Sequence, residues 1–222
     1  MNRRDFLRHL VTGAAGASAG LVLVGCNRQA GLVRDPAPPY FGPRTGGPKA
    51  YATGPSHPKS GEPVVVARGE EMWIPPGAER PWRYIVLHHS ATDRGSAAEF
   101  DRLHRGNGWD ELGYHFVIGN GTGSGDGVVE VGGRWPKQKH GAHCKVAGHP
   151  EYNDVGIGVC LVGNFDHYRP TDAQIEACAR VVRFLQQRYG IPRSRIYGHG
   201  QLKATHCPGR LFPYDEVFRR LA

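Results

Sequence analysis

"RYIVLHHS", residues 83–90, is an apolar run rich in β-branched residues that turns polar at its end. Such a run predicts a strand buried on both faces, ending at His88. A second fully apolar run, "GIGVCLVGN" (156–164), predicts a partner of the same kind. "GYHFVIG" (113–119) and "GVVEVG" (127–132) read as two strands around a glycine-rich loop, and "SRIYGHG" (194–200) as a short strand running into a further loop. Between them, "PTDAQIEACARVVRFLQQRYG" (170–190) predicts a helix. Thr171 caps it, Gln174 completes the box, and Ile175, Cys178, Ala179, Val182 and Leu185 share one face. "SAAEFDRLHRGNG" (96–108) predicts another helix, capped by Ser96 with Glu99 three residues on, stopped near Gly106, and with Phe100, Leu103 and His104 at helical spacing. "PYDEVFRRLA" (213–222) predicts a closing helix. Strands interspersed with helices in this order give the α/β class, with one mixed, mainly buried sheet.

Residues 82–222 have the length of one domain with a single core, and no internal repeat is visible. The residues ahead of it read differently. The chain opens "MNRRDFLRHLVTGAAGASAGLVLVGC", a basic head followed by an uncharged run too short for the roughly 20 residues of a membrane-spanning helix. Residues 1–25 are therefore expected to be an export signal. Adjacent Arg3 and Arg4 resemble a twin-arginine signal, and "LVGC" resembles a bacterial lipobox, which implies lipidation of Cys26 and a membrane anchor. The alternative is an ordinary cleaved signal with an incidental cysteine. Residues 27–63 hold eight of the seventeen prolines, so 26–63 is expected to be an extended tether. Residues 64–81 fit either a short strand or an arm packed on the domain.

The net charge is +8, and removing residues 1–25 takes away three arginines and one aspartate, leaving +6. An exported basic protein is drawn to anionic wall polymers or phospholipid surfaces. No cluster of Lys and Arg interleaved with aromatics points to nucleic acid.

Ten of the twelve histidines follow residue 63. His88 and His199 both sit where strands end, and Cys207 follows eight residues after His199 in a loop bent by glycine and proline. Two imidazoles and a thiolate suit a zinc ion with a fourth position open to water, the arrangement of a catalytic site. A structural zinc wants a fourth protein ligand, and no C-x-x-C pair is present. Hydrogen-bonded core histidines and a buried thiol are the alternative reading of the same residues.

"VLHHSAT", "GYHFVIGN", "GAHC", "NDVGIGVCLVGN" and "GHGQLKATHCPG", in that order from about Trp82 to the C-terminus, resemble the zinc-dependent N-acetylmuramoyl-L-alanine amidases, the family of peptidoglycan recognition proteins and phage lytic amidases. The resemblance implies a central mixed sheet flanked by helices. It implies a zinc amidase domain over residues 82–222, cleaving the amide between N-acetylmuramic acid and L-alanine with a zinc-activated water, and peptidoglycan or a muropeptide as substrate. Carried over by position, it makes His88, His199 and Cys207 the zinc ligands, Tyr114 and Thr205 catalytic residues, and His143 a residue of the substrate groove. Taken alone, Tyr114 reads equally as a buried strand aromatic and His143 as a loop histidine. His89 and His206 neighbour the expected ligands and are alternative donors.

Thr205 occupies the position where some phage members carry lysine, so it offers a hydroxyl but no charge. "NGTGSGDGVVE" (120–130) runs longer than the usual turn. The leaving nitrogen has Tyr114, His143 and a proton returned from the activated water as candidate donors. Cys144, Cys160 and Cys178 admit at most one disulfide, and none is predicted. Two other functions fit the same residues: a lipoprotein of this fold that binds peptidoglycan without cutting it, and a zinc hydrolase acting on another envelope amide. Relatives that have lost hydrolysis usually lack the cysteine ligand, which this chain keeps. Oligomeric state is not encoded in any feature of the sequence.

Overall fold

The computed structural model describes residues 69–221. The expected export signal, Cys26, the proline-rich tether and the first five residues of the arm lie outside the described residues. At the centre, β1 (Tyr84–His89) and β4 (Gly156–Leu161) run parallel, with Ile85 beside Ile157 and His88 beside Cys160. β5 (Ile196–Gly198) adds in parallel to the free side of β1, and β2 (Phe116–Ile118) in parallel to the free side of β4. β3 (Val129–Val131) closes the far edge antiparallel to β2, so the order is β3-β2-β4-β1-β5. The sheet is mixed and flanked by helices, as expected.

Alternation along each strand divides the sheet into two faces of different character. Ile85, Leu87, Phe116, Ile157, Val159 and Leu161 point to one face and join the main core. α3 (Asp172–Tyr189) covers it with the predicted stripe of Ile175, Cys178, Ala179, Val182 and Leu185, each no more than 1 % exposed. The cap is also as predicted: Thr171 Oγ1 accepts from the Gln174 N–H at 3.0 Å, and Gln174 Oε1 accepts from the Thr171 N–H at 3.3 Å. Gln174 does more. It is buried, and its Nε2 donates to the Val162 and Ile118 carbonyls at 2.8 and 3.3 Å, where β4 and β2 end. Gly190, in the left-handed region at φ 62°, stops the helix.

The opposite face carries Val117, Gly158, Cys160, Val86 and His88. A smaller apolar cluster of Phe100, Leu112, Val117 and Val162 packs at one side of it, under α1 (Ala97–Gly106). Ser96 caps α1 by accepting the Glu99 N–H at 3.2 Å, and Glu130 of β3 accepts the Ala97 N–H at 2.8 Å. Of the expected face, Phe100 is buried while Leu103 is 58 % exposed, because the stripe meets the sheet only at its first turn.

The described part of the arm is not a strand. Glu71–Trp73 forms one 3-10 turn that drops Trp73 into the main core, edge-on to Phe184 at 5.4 Å, and the Trp73 carbonyl accepts from Trp135 Nε1 at 2.7 Å. The packed region thus reaches back past residue 82. Two short helices had no signal in the sequence: α2 (Glu151–Asp154), and α4 (His199–Leu202), which starts where β5 ends. α5 (Tyr214–Arg219) closes the fold. Cys144, Cys160, Cys178 and Cys207 are free thiols.

Candidate active site and metal centre

His88 is the fifth residue of β1, on the face away from α3, and is 1 % exposed. β5 lies beside β1 with Gly198 opposite Leu87, so the residues that follow, His199 at the start of α4 and His88 within β1, emerge at the same level. Their ring centroids are 4.8 Å apart. The chain then turns through α4 and doubles back. The Gly200 N–H donates to the Cys207 carbonyl at 2.6 Å, and glycine is required there because a Cβ would stand 2.7 Å from the Thr205 oxygen and 2.9 Å from the Cys207 oxygen. That clasp returns Cys207 Sγ to 3.5 Å from His88 Nδ1, with the His89 N–H donating to the sulfur at 3.4 Å. One donor atom each from His88, His199 and Cys207 lies within 4.8 Å of the others, and among the described residues no other such group of three forms.

Burial sets the electrostatics. It holds the His88 imidazole well below its ordinary range, with His143 and His199 adding to the effect. His199 is brought down to about 4, by burial first and then by Lys203. The Cys207 thiol is pushed up to about 12 by burial, against the pull of the His89 N–H. In the absence of a cation all three groups are therefore neutral at pH 7. His199 Nε2 is buried with no hydrogen-bond partner, a situation that typically costs about 1–3 kcal/mol.

These features fit a zinc ion. Two unprotonated imidazoles and one soft sulfur match its donor preference, and a cation would draw the proton off the thiol. A tetrahedral zinc, with Zn–N of about 2.0–2.1 Å and Zn–S of about 2.3 Å, sets neighbouring N and S donors about 3.6 Å apart. The His88–Cys207 spacing already matches that separation.

Around this group, Tyr114 lies just ahead of β2, its ring 5.2 Å from His88 and its phenol against the Cys160 thiol. Burial, and next the thiols of Cys160 and Cys207, hold that phenol well above its usual range, so it stays a proton donor. Thr205 Oγ1 accepts the Cys207 N–H at 3.4 Å, on the same loop as the sulfur. His89 and His206 face elsewhere. His89 Nδ1 accepts the Phe165 N–H at 3.2 Å, and His206 Nδ1 stands 3.4 Å from Asp166.

His143, the residue that the family resemblance expects in the substrate groove, is seated against the sheet, 8 % exposed, with both ring nitrogens engaged. Its Nδ1 is 3.0 Å from His88 Nε2 and its Nε2 is 3.1 Å from the Gly156 carbonyl. The ring fits because Gly158 and Gly141 leave space: a Cβ on either would come within 2.5 or 2.4 Å of it. Glycine inside an apolar strand is a signal of close approach, and Gly158 was that signal in the sequence.

Three further residues stand beside these without a spacing that marks them, although His115 lies within "GYHFVIGN". His115 is buried, with Nδ1 accepting from the Gly158 N–H and Nε2 donating to the Lys139 carbonyl, both at 3.0 Å. His104 Nδ1 accepts the Gly113 N–H at 3.0 Å and its ring lies 5.8 Å from Tyr114. Trp109, 44 % exposed, lies 4.5 Å from the His104 ring.

A family model described as N-acetylmuramoyl-L-alanine amidase matches residues 78–210. Peptidoglycan-recognition protein LB of Drosophila melanogaster is 30% identical over 146 residues, covering 60% of this chain and 57% of that protein. An N-acetylmuramoyl-L-alanine amidase of Sus scrofa is 30% identical over 154 residues, covering 64% of this chain but 23% of its own length. This chain thus spans little more than half of the first relative and under a quarter of the second. Among solved structures, the N-acetylmuramoyl-L-alanine amidase LysC from Clostridium intestinale URNW aligns with a TM-score of 0.55 at 28% identity, over 64% of this chain and 85% of that one. Drosophila peptidoglycan recognition protein SA aligns with a TM-score of 0.50 at 26% identity, over 67% and 88%.

Proposed function

This chain belongs to the N-acetylmuramoyl-L-alanine amidase family, and from that premise we propose that it hydrolyses the amide between N-acetylmuramic acid and L-alanine in peptidoglycan, with a zinc ion held by His88, His199 and Cys207. The observation that carries the reading is the three-residue donor group with its unpartnered imidazole nitrogen. A zinc ion bound there supplies Lewis-acid chemistry, activating water and drawing charge from a carbonyl oxygen. The chain's own residues do the rest. Tyr114, protonated through neutral pH, donates a hydrogen bond to the oxygen that gains charge as the amide carbon becomes tetrahedral. Thr205 steadies the backbone of Cys207 and offers its hydroxyl at the mouth of the loop. His88 and His199, buried and neutral, keep lone pairs available as donors.

Mass analysis of products from purified peptidoglycan tests the reading. Free stem peptides beginning at L-alanine are expected, their release is expected to stop with a chelator and return with added zinc, and about one zinc per chain is expected by elemental analysis. Full activity in metal-free protein overturns the metal assignment, and fragments cut only within the glycan overturn the amidase assignment. A second reading, recognition without cleavage, is supported by relatives that are named as recognition proteins. It is distinguished by retention on insoluble peptidoglycan with no peptide released.

We also propose that residues 1–25 direct export and that Cys26 is acylated, so that residues 26–63 tether the amidase domain to a membrane. Metabolic labelling with a fatty-acid analogue is expected to tag the wild type and not Cys26→Ser. Label persisting in that variant overturns the anchor.

A further inference from the structure

The geometry assigns His143 a task beyond any substrate contact: it is the positioning residue that holds His88 with its proton on Nε2, leaving Nδ1 bare toward Cys207 and the metal. This rests on the zinc amidase reading for its purpose, but its logic is that of the hydrogen bonds. The Gly156 carbonyl can only accept, so His143 Nε2, 3.1 Å away, carries the hydrogen. A neutral imidazole has one N–H, so His143 Nδ1 is an acceptor. The atom facing it at 3.0 Å, His88 Nε2, must then be the donor. His88 is left with an unprotonated Nδ1, and that is the nitrogen 3.5 Å from Cys207 Sγ. The chain of contacts ends on the backbone of β4 at the residue paired with Tyr84 of β1, so the reference point belongs to the same two strands that carry His88.

The frame around His143 is built for a fixed ring. Gly158 and Gly141 provide the space, and Asn153 Oδ1 accepts the backbone N–H of both His143 and Cys144 at 2.9 Å. The partner of a ligating histidine's second nitrogen commonly sets which nitrogen meets the metal. Nothing else described contacts His88 Nε2 by a hydrogen bond.

Two variants of the full chain separate this task from packing. Asparagine can place Oδ1 where His143 Nδ1 stands and accept from His88, whereas leucine fills the space and cannot. By chelator competition, His143→Leu is expected to weaken zinc binding about 10- to 100-fold while His143→Asn recovers most of it. Leucine binding zinc as tightly as wild type, or asparagine binding it as weakly as leucine, overturns the inference. A second measurement does not depend on the variants folding: nitrogen-15 NMR of the zinc-free wild type is expected to show His88 protonated at Nε2, and protonation at Nδ1 overturns the inference. A wild type that takes up no zinc refutes the zinc amidase reading instead, and the NMR result alone then decides the state of His88.

Discussion

Cys207→Ser is expected to lose zinc and, with it, hydrolysis of peptidoglycan, by a factor on the order of 10⁴ or more, because a bound zinc takes the pKa of water from 15.7 to about 7. The sulfur is the only one of the three donors that can bring negative charge to the ion. Burial pushes that thiol up to about 12, so it keeps its proton at neutral pH, and a bound cation would displace it. A serine hydroxyl is a hard, neutral ligand that gives up its proton far less readily, so the site loses charge as well as softness. The fold has little stake in the exchange, since the clasp from Gly200 runs to the backbone carbonyl of residue 207 and not to its side chain. Retention on insoluble peptidoglycan should therefore persist. Stem-peptide release from the variant at the wild-type rate overturns the amidase reading. If neither protein releases peptide while both bind, the recognition reading replaces it.

Tyr114→Phe is expected to lower kcat by about 10²- to 10³-fold with zinc content unchanged, the usual penalty for removing one oxyanion donor. Phenylalanine keeps the ring contact with His88 and removes only the hydroxyl. The phenol's pKa lies above its ordinary value of 10.0, so the donor is fully protonated below that pH and is lost only as pH rises through the raised value. The ratio of wild-type to variant rates should accordingly be flat from pH 6 to pH 9, which steady-state assays across that range will show. A ratio near one removes Tyr114 from the chemistry, and loss of zinc from the variant turns it into a structural residue.

The parts of the fold that could be read from sequence are those fixed by neighbours in the chain. The apolar runs of β1 and β4 and the 3.6-residue stripe of α3 each declare a burial pattern within one element, and the Thr171–Gln174 box declares an end. His88 close to a strand end, one residue short of the actual last residue His89, and the eight-residue interval from His199 to Cys207 were visible for the same reason. What escaped depends on residues far apart in sequence. Nothing near "GAHC" announces that His143 will lie beneath His88, 55 positions earlier, since that follows from Gly158 in a third segment. The insertion of Trp73 into the core depends on Trp135 and Phe184, so the arm could not be separated from a strand by local pattern. Four-residue helices such as α4 have too few positions to show a period at all.

The side chain of Gln174 has a consequence for how freely this sequence can drift. In an isolated helix a capping box works equally well with glutamate or glutamine at its third position. Here the amide nitrogen is committed to two carbonyl oxygens at the ends of β2 and β4, inside a site from which water is excluded. Glutamate would present an acceptor, and a charge, to two acceptors. The substitution that looks most conservative on paper is thus closed to this chain, and the start of one helix has become a lock on the spacing of two strands.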